Sequence, residues 1–468
     1  VTQVPLLILS DAITSSTGLA RIARDLSTRI HAHLQDTFRV GVLGVGGSIS
    51  TSSVFPFPNY SIRQLEQMCP IDLPLVWSDF AGHIGDNRQL DSPDDLLYRT
   101  GQRRQGILLT IWNASWCQWL AQPQLLPDQH PVRDFLLQRP QSIPPATWAS
   151  CTPSLRASLA QRPFQRWLYC PVDGHCSDGT LGWQMAPILE GFDRVLAYTS
   201  YGAKVIEDTI DKWGDPLSTR RIDFPIPHLP HGLDAATFRP CDRALARATL
   251  VSRLSNGEKS LPLKPDQLLL CAVATNTSRK DWGLAFRVCE ALLARGRNPF
   301  LWGHTDTLLA HWNIPALAKQ YGMDKRVLIT SDRLSDDDMA ECYAACDVML
   351  GIGAGEGWGY PLSEGVGCQL PVLHGRYAGG AEFLRPGNLI TPIGYSLESP
   401  YLIQRPVYDE GHWADAVEAA LICLEDDKAW AAGKAKELDW QQVWPQWQQW
   451  LQDGVVAGAG ATAKEGAR

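Results

Sequence analysis

No apolar run in this sequence is long enough to cross a bilayer, so no transmembrane segment is expected; peripheral membrane contact stays open. Nor is there an excess of basic charge. With 42 Lys and Arg against 50 Asp and Glu, the formal net charge is −8, which argues against a general polyanion binder and leaves room for a local basic cleft. Cysteine is scattered, 12 in 468 residues, without the dense pattern of a small secreted disulfide scaffold. Reduced thiols in a cytoplasmic protein are therefore expected. The three N-x-S/T triplets at Asn59, Asn113 and Asn276 arise often by chance and imply no secretion. The chain begins on a strand-like segment rather than a basic n-region. Cys170, His175 and Cys176 are followed by no second ligand pair at zinc-like spacing, so no metal site is assigned.

What is present is ordinary soluble globular composition, 45% hydrophobic and 20% charged. At 468 residues the chain is too long for one core and predicts two or three domains. It opens as an α/β unit: an apolar strand at Val4–Leu9, a small-residue turn ending in Gly18, then Leu19, Ile22, Ala23, Leu26 and Ile30 at helical spacing. Further buried strands are expected at Arg39–Val45, Ile107–Ile111, Arg166–Val172 and Phe192–Tyr198. Residues 48–105 give no clear pattern, and the Pro- and Gln-rich segment 121–163 reads as an irregular insertion. Leu268–Ala274, Pro299–Gly303, Val327–Thr330 and Leu370–Leu373 are the strand candidates of the second half. Asp336, Asp337 and Asp338 suit the first turn of a helix. Cys342 and Cys346 suit a core, and so does the aromatic stripe Trp440, Trp444, Trp447 and Trp450.

The chemistry concentrates at Asp347–Glu364. A short apolar strand, Val348–Leu350, runs into a turn carrying Gly351, Gly353, Gly355, Gly357 and Gly359, and Pro361 then suits the first turn of a helix. Strand, glycine turn and helix N-terminus make an anion site. Glu356 and Glu364 bracket it, so the ligand should offer hydroxyls as well as phosphate charge; a nucleotide sugar does both. Upstream, Arg279 and Lys280 form a basic pair ahead of a helix. Asp173 and His175 fall at the carboxyl end of a strand, where ligands of open α/β sheets collect, although both also suit a plain turn.

The stretch E-G-W-G-Y-P-L-S-E, with seven residues between Glu356 and Glu364 and followed by Gly367 and Pro371, resembles the E-x7-E signature of retaining family-4 glycosyltransferases. H-G-L-D-A-A-T-F-R-P, from His231, resembles the family's entry into its second domain, with His231 in place of the usual Asn. Gly379-Gly380-Ala381-Glu382-Phe383 resembles its last donor-side turn, and His374 stands where relatives carry a small or apolar residue. The resemblance implies an α/β fold of two Rossmann-like domains facing across a cleft, the GT-B fold, with a C-terminal helix crossing back to the first domain. The implied boundaries are 1–235 for the acceptor-side domain and 236–435 for the donor domain; residues 235–265, charged and then Gly-, Ser- and Pro-containing, read as the connection between them. A crossing helix at 436–452 and a loose tail at 453–468 complete the chain.

The resemblance further implies a metal-independent hexosyltransferase with no cofactor beyond its nucleotide-diphosphate sugar co-substrate. Arg279 and Lys280 would hold the leaving diphosphate, and no D-x-D stands where it would hold a metal beside it. Glu364 would bind the ribose diol and Glu356 the donor sugar. Asp173 and His175 would serve the acceptor side. Gly18, Asn276, Arg333, Gly357, Trp358, Gly359 and Tyr360 complete the implied donor site. The residues before Glu356 are Gly-Ile-Gly-Ala-Gly where relatives often carry Pro-Ser. A nucleotide-sugar epimerase, a phosphorylase and a non-catalytic nucleotide-sugar-binding protein are the competing readings on the same scaffold. The acceptor hydroxyl compound stays open: a lipid-linked sugar, a polysaccharide, a small metabolite or, as the minority option, a modified base in DNA. For the last, Arg103-Arg104 and Arg220-Arg221 are the candidate phosphate contacts.

Overall fold

A computed structural model describes residues 3–46, 55–62, 73, 76–77, 80, 106–121, 164–216, 224–254, 263–264 and 267–465. Most of the 121–163 insertion and both arginine pairs lie outside the described residues.

The first half is a parallel sheet of β1 (Val4–Asp11), β2 (Phe38–Val45), β3 (Asn59–Ile62), β4 (Gly106–Ile111), β5 (Phe164–Cys170) and β6 (Arg194–Ala197), in the order β3-β2-β1-β4-β5-β6. Leu6 pairs with Val40 on one side and Ile107 on the other. Strands β1, β2 and β4 are buried on both faces over most of their length, which is why they read as near-continuous apolar runs. Helix α1 (Gly18–His33) starts where the Thr17 hydroxyl accepts the Ala20 amide, and it buries Ala20, Ile22, Ala23, Leu26 and Ile30. Helix α2 (Ser200–Trp213) is capped in the same way by Thr199.

The segment expected as a plain connection contains a helix, α3 (Arg243–Leu254). Ala246 and Leu250 are buried, and Arg247 pairs with Asp347 at 2.6 Å. Apolar residues four apart gave this segment a face to bury.

The second half repeats the design. Its strands are β7 (Leu268–Val273), β8 (Pro299–His304), β9 (Val327–Thr330), β10 (Val348–Gly351), β11 (Val372–Gly375) and β12 (Leu389–Ile390), all parallel, in the order β12-β11-β10-β7-β8-β9. Helices α4 (Trp282–Ala294), α5 (Ile314–Gln320), α6 (Asp336–Ala345) and α7 (Tyr360–Gly367) follow β7, β8, β9 and β10. Ser335 and Asp338 form a capping box at the start of α6, so its acidic first turn belongs to the helix end. Cys342 and Cys346 are buried. Beyond β12, an antiparallel hairpin of β13 (Gly394–Glu398) and β14 (Ile403–Val407) precedes α8 (Glu410–Ile422) and α9 (Leu424–Leu438). The sequence reading did not anticipate the hairpin.

The last helix, α10 (Trp440–Glu465), crosses to the first half. Trp447 is fully buried, donates from Nε1 to Pro230 O at 3.1 Å and meets Tyr169 edge-on; Trp450 does the same to Trp167. The chain leaves the first half beside the point where it returns. Leu233 N donates to Leu438 O at 2.7 Å, and Trp440 N donates to Leu233 O at 3.1 Å. The helix continues through most of the segment expected as a loose tail. Ala457, Ala459, Ala461 and Ala463 supply helix propensity that offsets the intervening glycines. Among the described residues, no helix is long and apolar enough to cross a membrane.

Candidate functional site

The carboxyl ends of both sheets face one another, and the loop from β10 to α7 fills the gap. Gly355, at φ +124°, lies so close to the Asp173 carbonyl that a side chain there would collide with it. Gly359, at φ +86°, turns the chain into α7, with Pro361 in the first turn. Gly355 and Gly357, the latter against Pro171 and Val172, let second-half backbone touch the first half.

The loop carries Glu356 to a pair of cations. Lys280 Nζ bonds Glu356 Oε1, and Arg279 Nη1 lies 3.3 Å from Oε2. Arg279 also bonds the Gly355 carbonyl and reaches Asp173 Oδ2 at 3.2 Å from Nε. Burial pushes the Glu356 carboxyl up, but Lys280 and Arg279 overcome it and hold the group down at about 2. Burial and the neighbouring Arg279 pull the Lys280 ammonium down to about 8 against the attraction of Glu356. Lys280 shares Glu356 with Arg279, whereas Glu356 draws on both cations, one of which, Arg279, also reaches Asp173.

Asp173 is held from a second side by Arg405 of β14, whose Nη2 lies 3.2 Å from Oδ1 and whose Nη1 donates to the Asp173 carbonyl at 2.7 Å. The hairpin also donates from Gln404 N to His175 O at 2.8 Å. The His175 amide donates to Tyr377 Oη at 3.1 Å, and its Nδ1–H donates to Cys176 O at 2.7 Å. The β13–β14 hairpin thus straps the second half onto the first-half loop that follows β5.

A second cluster surrounds Glu364, 5% exposed in α7. Tyr343 Oη donates to Oε2 at 2.8 Å, and Arg21 from α1 bonds Oε1. Arg21 also reaches Asp336 at 3.4 Å, and its guanidinium lies over the rings of Tyr360 and Phe238 at 4.8 and 5.2 Å. Burial pushes the Glu364 carboxyl up against the pull of Arg21 and Tyr343. Gly18 faces the Tyr360 ring, with room for a side-chain carbon between them, and Arg333 donates to Thr14 O at 3.4 Å across the cleft.

The structure therefore brings Asp173, Arg279, Lys280 and Glu356 into one cluster and sets Glu364, Tyr360 and Gly18 in another. The other implied residues behave differently. The Asn276 side chain is spent on loop backbone, donating to Thr307 O and Trp312 O and accepting from Trp312 N. The Trp358 ring packs on Phe383 and His231, leaving only backbone for a ligand. His231, in place of the usual Asn, is buried; it stacks on Tyr360, and its Nδ1–H donates to Tyr169 Oη. Burial lowers its proton affinity. His374 donates from Nδ1–H to Gly351 O at 2.7 Å, while its buried Nε2 has no partner among the described residues.

Sequence reasoning missed Arg21, Tyr343 and Arg405. Arg21 carried a signal, three residues past Gly18 on the buried flank of a helix. Arg405 carried none, because the hairpin that positions it follows no pattern tied to the glycine turn.

Two parallel α/β halves, a cleft between their carboxyl ends and a terminal helix crossing back define the GT-B fold, as expected. Solved structures share it over nearly the whole chain. Sucrose-phosphate synthase from Thermosynechococcus elongatus aligns with a TM-score of 0.59 at 14% identity, over 97% of this chain and 100% of that one. HepE from Anabaena, solved with UDP-glucose, aligns at 0.58 and 11%, over 96% and 100%. An α,α-trehalose 6-phosphate synthase from Burkholderia multivorans aligns at 0.58 and 13%, over 98% and 100%. No family model matches the sequence, and no curated protein matches it. At these identities the likeness establishes the fold; activity has to be argued from the site.

Proposed function

We propose that the protein is a retaining glycosyltransferase that moves a sugar from a nucleotide-diphosphate sugar to an acceptor hydroxyl. The observation that carries this reading is the convergence of Arg279 and Lys280 on Glu356, on the loop that opens α7. The cluster is neutralised internally, each carboxylate facing cations. A diphosphate entering at the helix start exchanges for those carboxylates, taking hydrogen bonds from Arg279, Lys280 and the loop amides. Glu356, ionised and freed of its partners, then accepts hydroxyls of the donor sugar. Glu364 accepts the ribose diol.

In the reaction the bond between the anomeric carbon and the diphosphate oxygen breaks, and its electron pair stays on the diphosphate. Charge grows there, and two preorganised cations stabilise it without a metal. The acceptor oxygen attacks from the face the diphosphate leaves, and its proton passes to a leaving phosphate oxygen. Attack on that face retains the anomeric configuration. Asp173 borders this space from the first half, held by Arg279 and Arg405. Contact between the halves excludes water and limits donor hydrolysis. That HepE was solved with UDP-glucose on the same fold supports a nucleotide-sugar donor.

Calorimetric titration with UDP-, GDP- and ADP-sugars tests the reading, on the wild type and on Glu364→Ala. One donor should bind the wild type and bind the variant at least tenfold more weakly, since a charge-assisted pair to the diol contributes about 1.5–3 kcal/mol. Absence of binding by every donor overturns it.

A further inference from the structure

Glu364 is the carboxylate assigned to the ribose, and both its oxygens are already engaged. Tyr343, from the same half, holds Oε2 at 2.8 Å; Arg21, from the opposite half, holds Oε1. The second contact is built rather than incidental. The Arg21 side chain is 17% exposed, has two aromatic rings beneath its guanidinium and has a second carboxylate, Asp336, 3.4 Å from Nη2. Arg21 gives Glu364 one donor, Nη1 on Oε1, with Nη2 turned to Asp336, and a ribose hydroxyl offers that oxygen the same thing, one hydrogen-bond donor.

We propose that Arg21 is a resident stand-in for the ribose diol, so that the nucleoside binds by displacing Arg21 from Glu364 onto Asp336. The inference rests on the reading of Glu364 as the ribose acceptor. It makes Arg21 a residue that sets nucleotide affinity by competition. Asp336 gives the displaced cation somewhere to go, at 58% side-chain exposure where it stays solvated.

The consequence is opposite to what charge alone predicts. Removing a cation beside a diphosphate site ordinarily weakens an anion, yet removing Arg21 tightens the nucleotide. Glu364 is buried, and without Arg21 it lacks a partner on Oε1 until the diol arrives. The effect depends on the hydroxyls, because a 2′,3′-dideoxyribose does not compete for Glu364.

The test uses the full chain and calorimetry at low salt, with UDP, GDP and ADP and their 2′,3′-dideoxy counterparts. Arg21→Met is the main variant, since its stem keeps packing on Tyr360 and Phe238; Arg21→Ala is the second. The expected result is about tenfold tighter binding of the ribose nucleotide by both variants, the scale of one charge-assisted hydrogen bond. The dideoxy nucleotide should bind them as it binds the wild type. Asp336→Asn should weaken the ribose nucleotide alone. Equal weakening of ribose and dideoxy forms would mean that Arg21 is a diphosphate cation, overturning the proposal while leaving the transferase reading intact. Unchanged affinity for both overturns it too. If the wild type binds none of the diphosphates, the transferase reading itself has failed.

Discussion

If Arg279 stabilises the leaving diphosphate as proposed, Arg279→Ala should lower catalysis far more than stability. Its guanidinium makes three contacts: the Gly355 carbonyl, Glu356 Oε2 at 3.3 Å and Asp173 Oδ2 at 3.2 Å. When it is removed, each carboxylate keeps a cation, because Lys280 remains on Glu356 and Arg405 on Asp173. No charge is left buried alone. With the side chain 27% exposed, the stability cost should be about 1 kcal/mol or less, as for other partly solvated pairs. Catalysis responds differently. Loss of one preorganised donor to charge that develops in the transition state costs on the order of 10²–10³ in kcat, about 2.7–4 kcal/mol. The assay is nucleoside diphosphate release at saturating donor, run beside thermal unfolding of the same preparation. The expected outcome is that large fall in kcat with the melting temperature within a few degrees of wild type. Arg279→Lys should recover only part of the rate, since one ammonium cannot span the three partners. A fall of less than tenfold, or one explained by lost folded protein, would refute the assignment of Arg279 to the leaving group.

The remaining expectations concern pH and the crossing helix. Lys280, brought down to about 8 by burial and Arg279, is charged below that pH, so kcat/KM should fall as pH rises through about 8. Lys280→Arg should move the fall out of range, and a flat profile to pH 10 would sink the role given to Lys280. Glu356 sits at about 2 against an ordinary 4.5. Its contribution to stability is therefore complete above about pH 4.5 and lost as pH falls toward 2, a limb that Glu356→Gln should lack in acid unfolding curves. Trp447→Ala removes a fully buried indole that contacts Tyr169 and Pro230, and should cost about 3–5 kcal/mol of stability. A melting temperature unchanged by this substitution would mean that α10 does not rest on the first half in solution.

The twin-sheet architecture was legible because buried parallel strands and amphipathic helices each leave a periodic trace. Leu268–Ala274 and Val348–Leu350 read as strands because both their faces are buried, and Pro361 after Gly359 marked a helix start. The four tryptophans from Trp440 to Trp450 announced a packed helix, though the helix runs past where glycine suggested it would end. Glu356, Glu364, Arg279 and Lys280 were visible because chain-local geometry, a glycine turn and two helix starts, puts them at fixed spacing. Which groups face them was decided elsewhere. Arg21 meets Glu364 only because α1 and α7 come from opposite halves of the cleft, and Arg405 reaches Asp173 only through a hairpin laid across it. The Asn276 amide, legible as a donor-site residue, is spent on the neighbouring loop after β8 by three hydrogen bonds to Thr307 and Trp312. Local order along the chain determined the elements and the chemical groups they carry. The pairings between charges hundreds of residues apart depend on how the halves dock, and no period or spacing in a sequence encodes that distance.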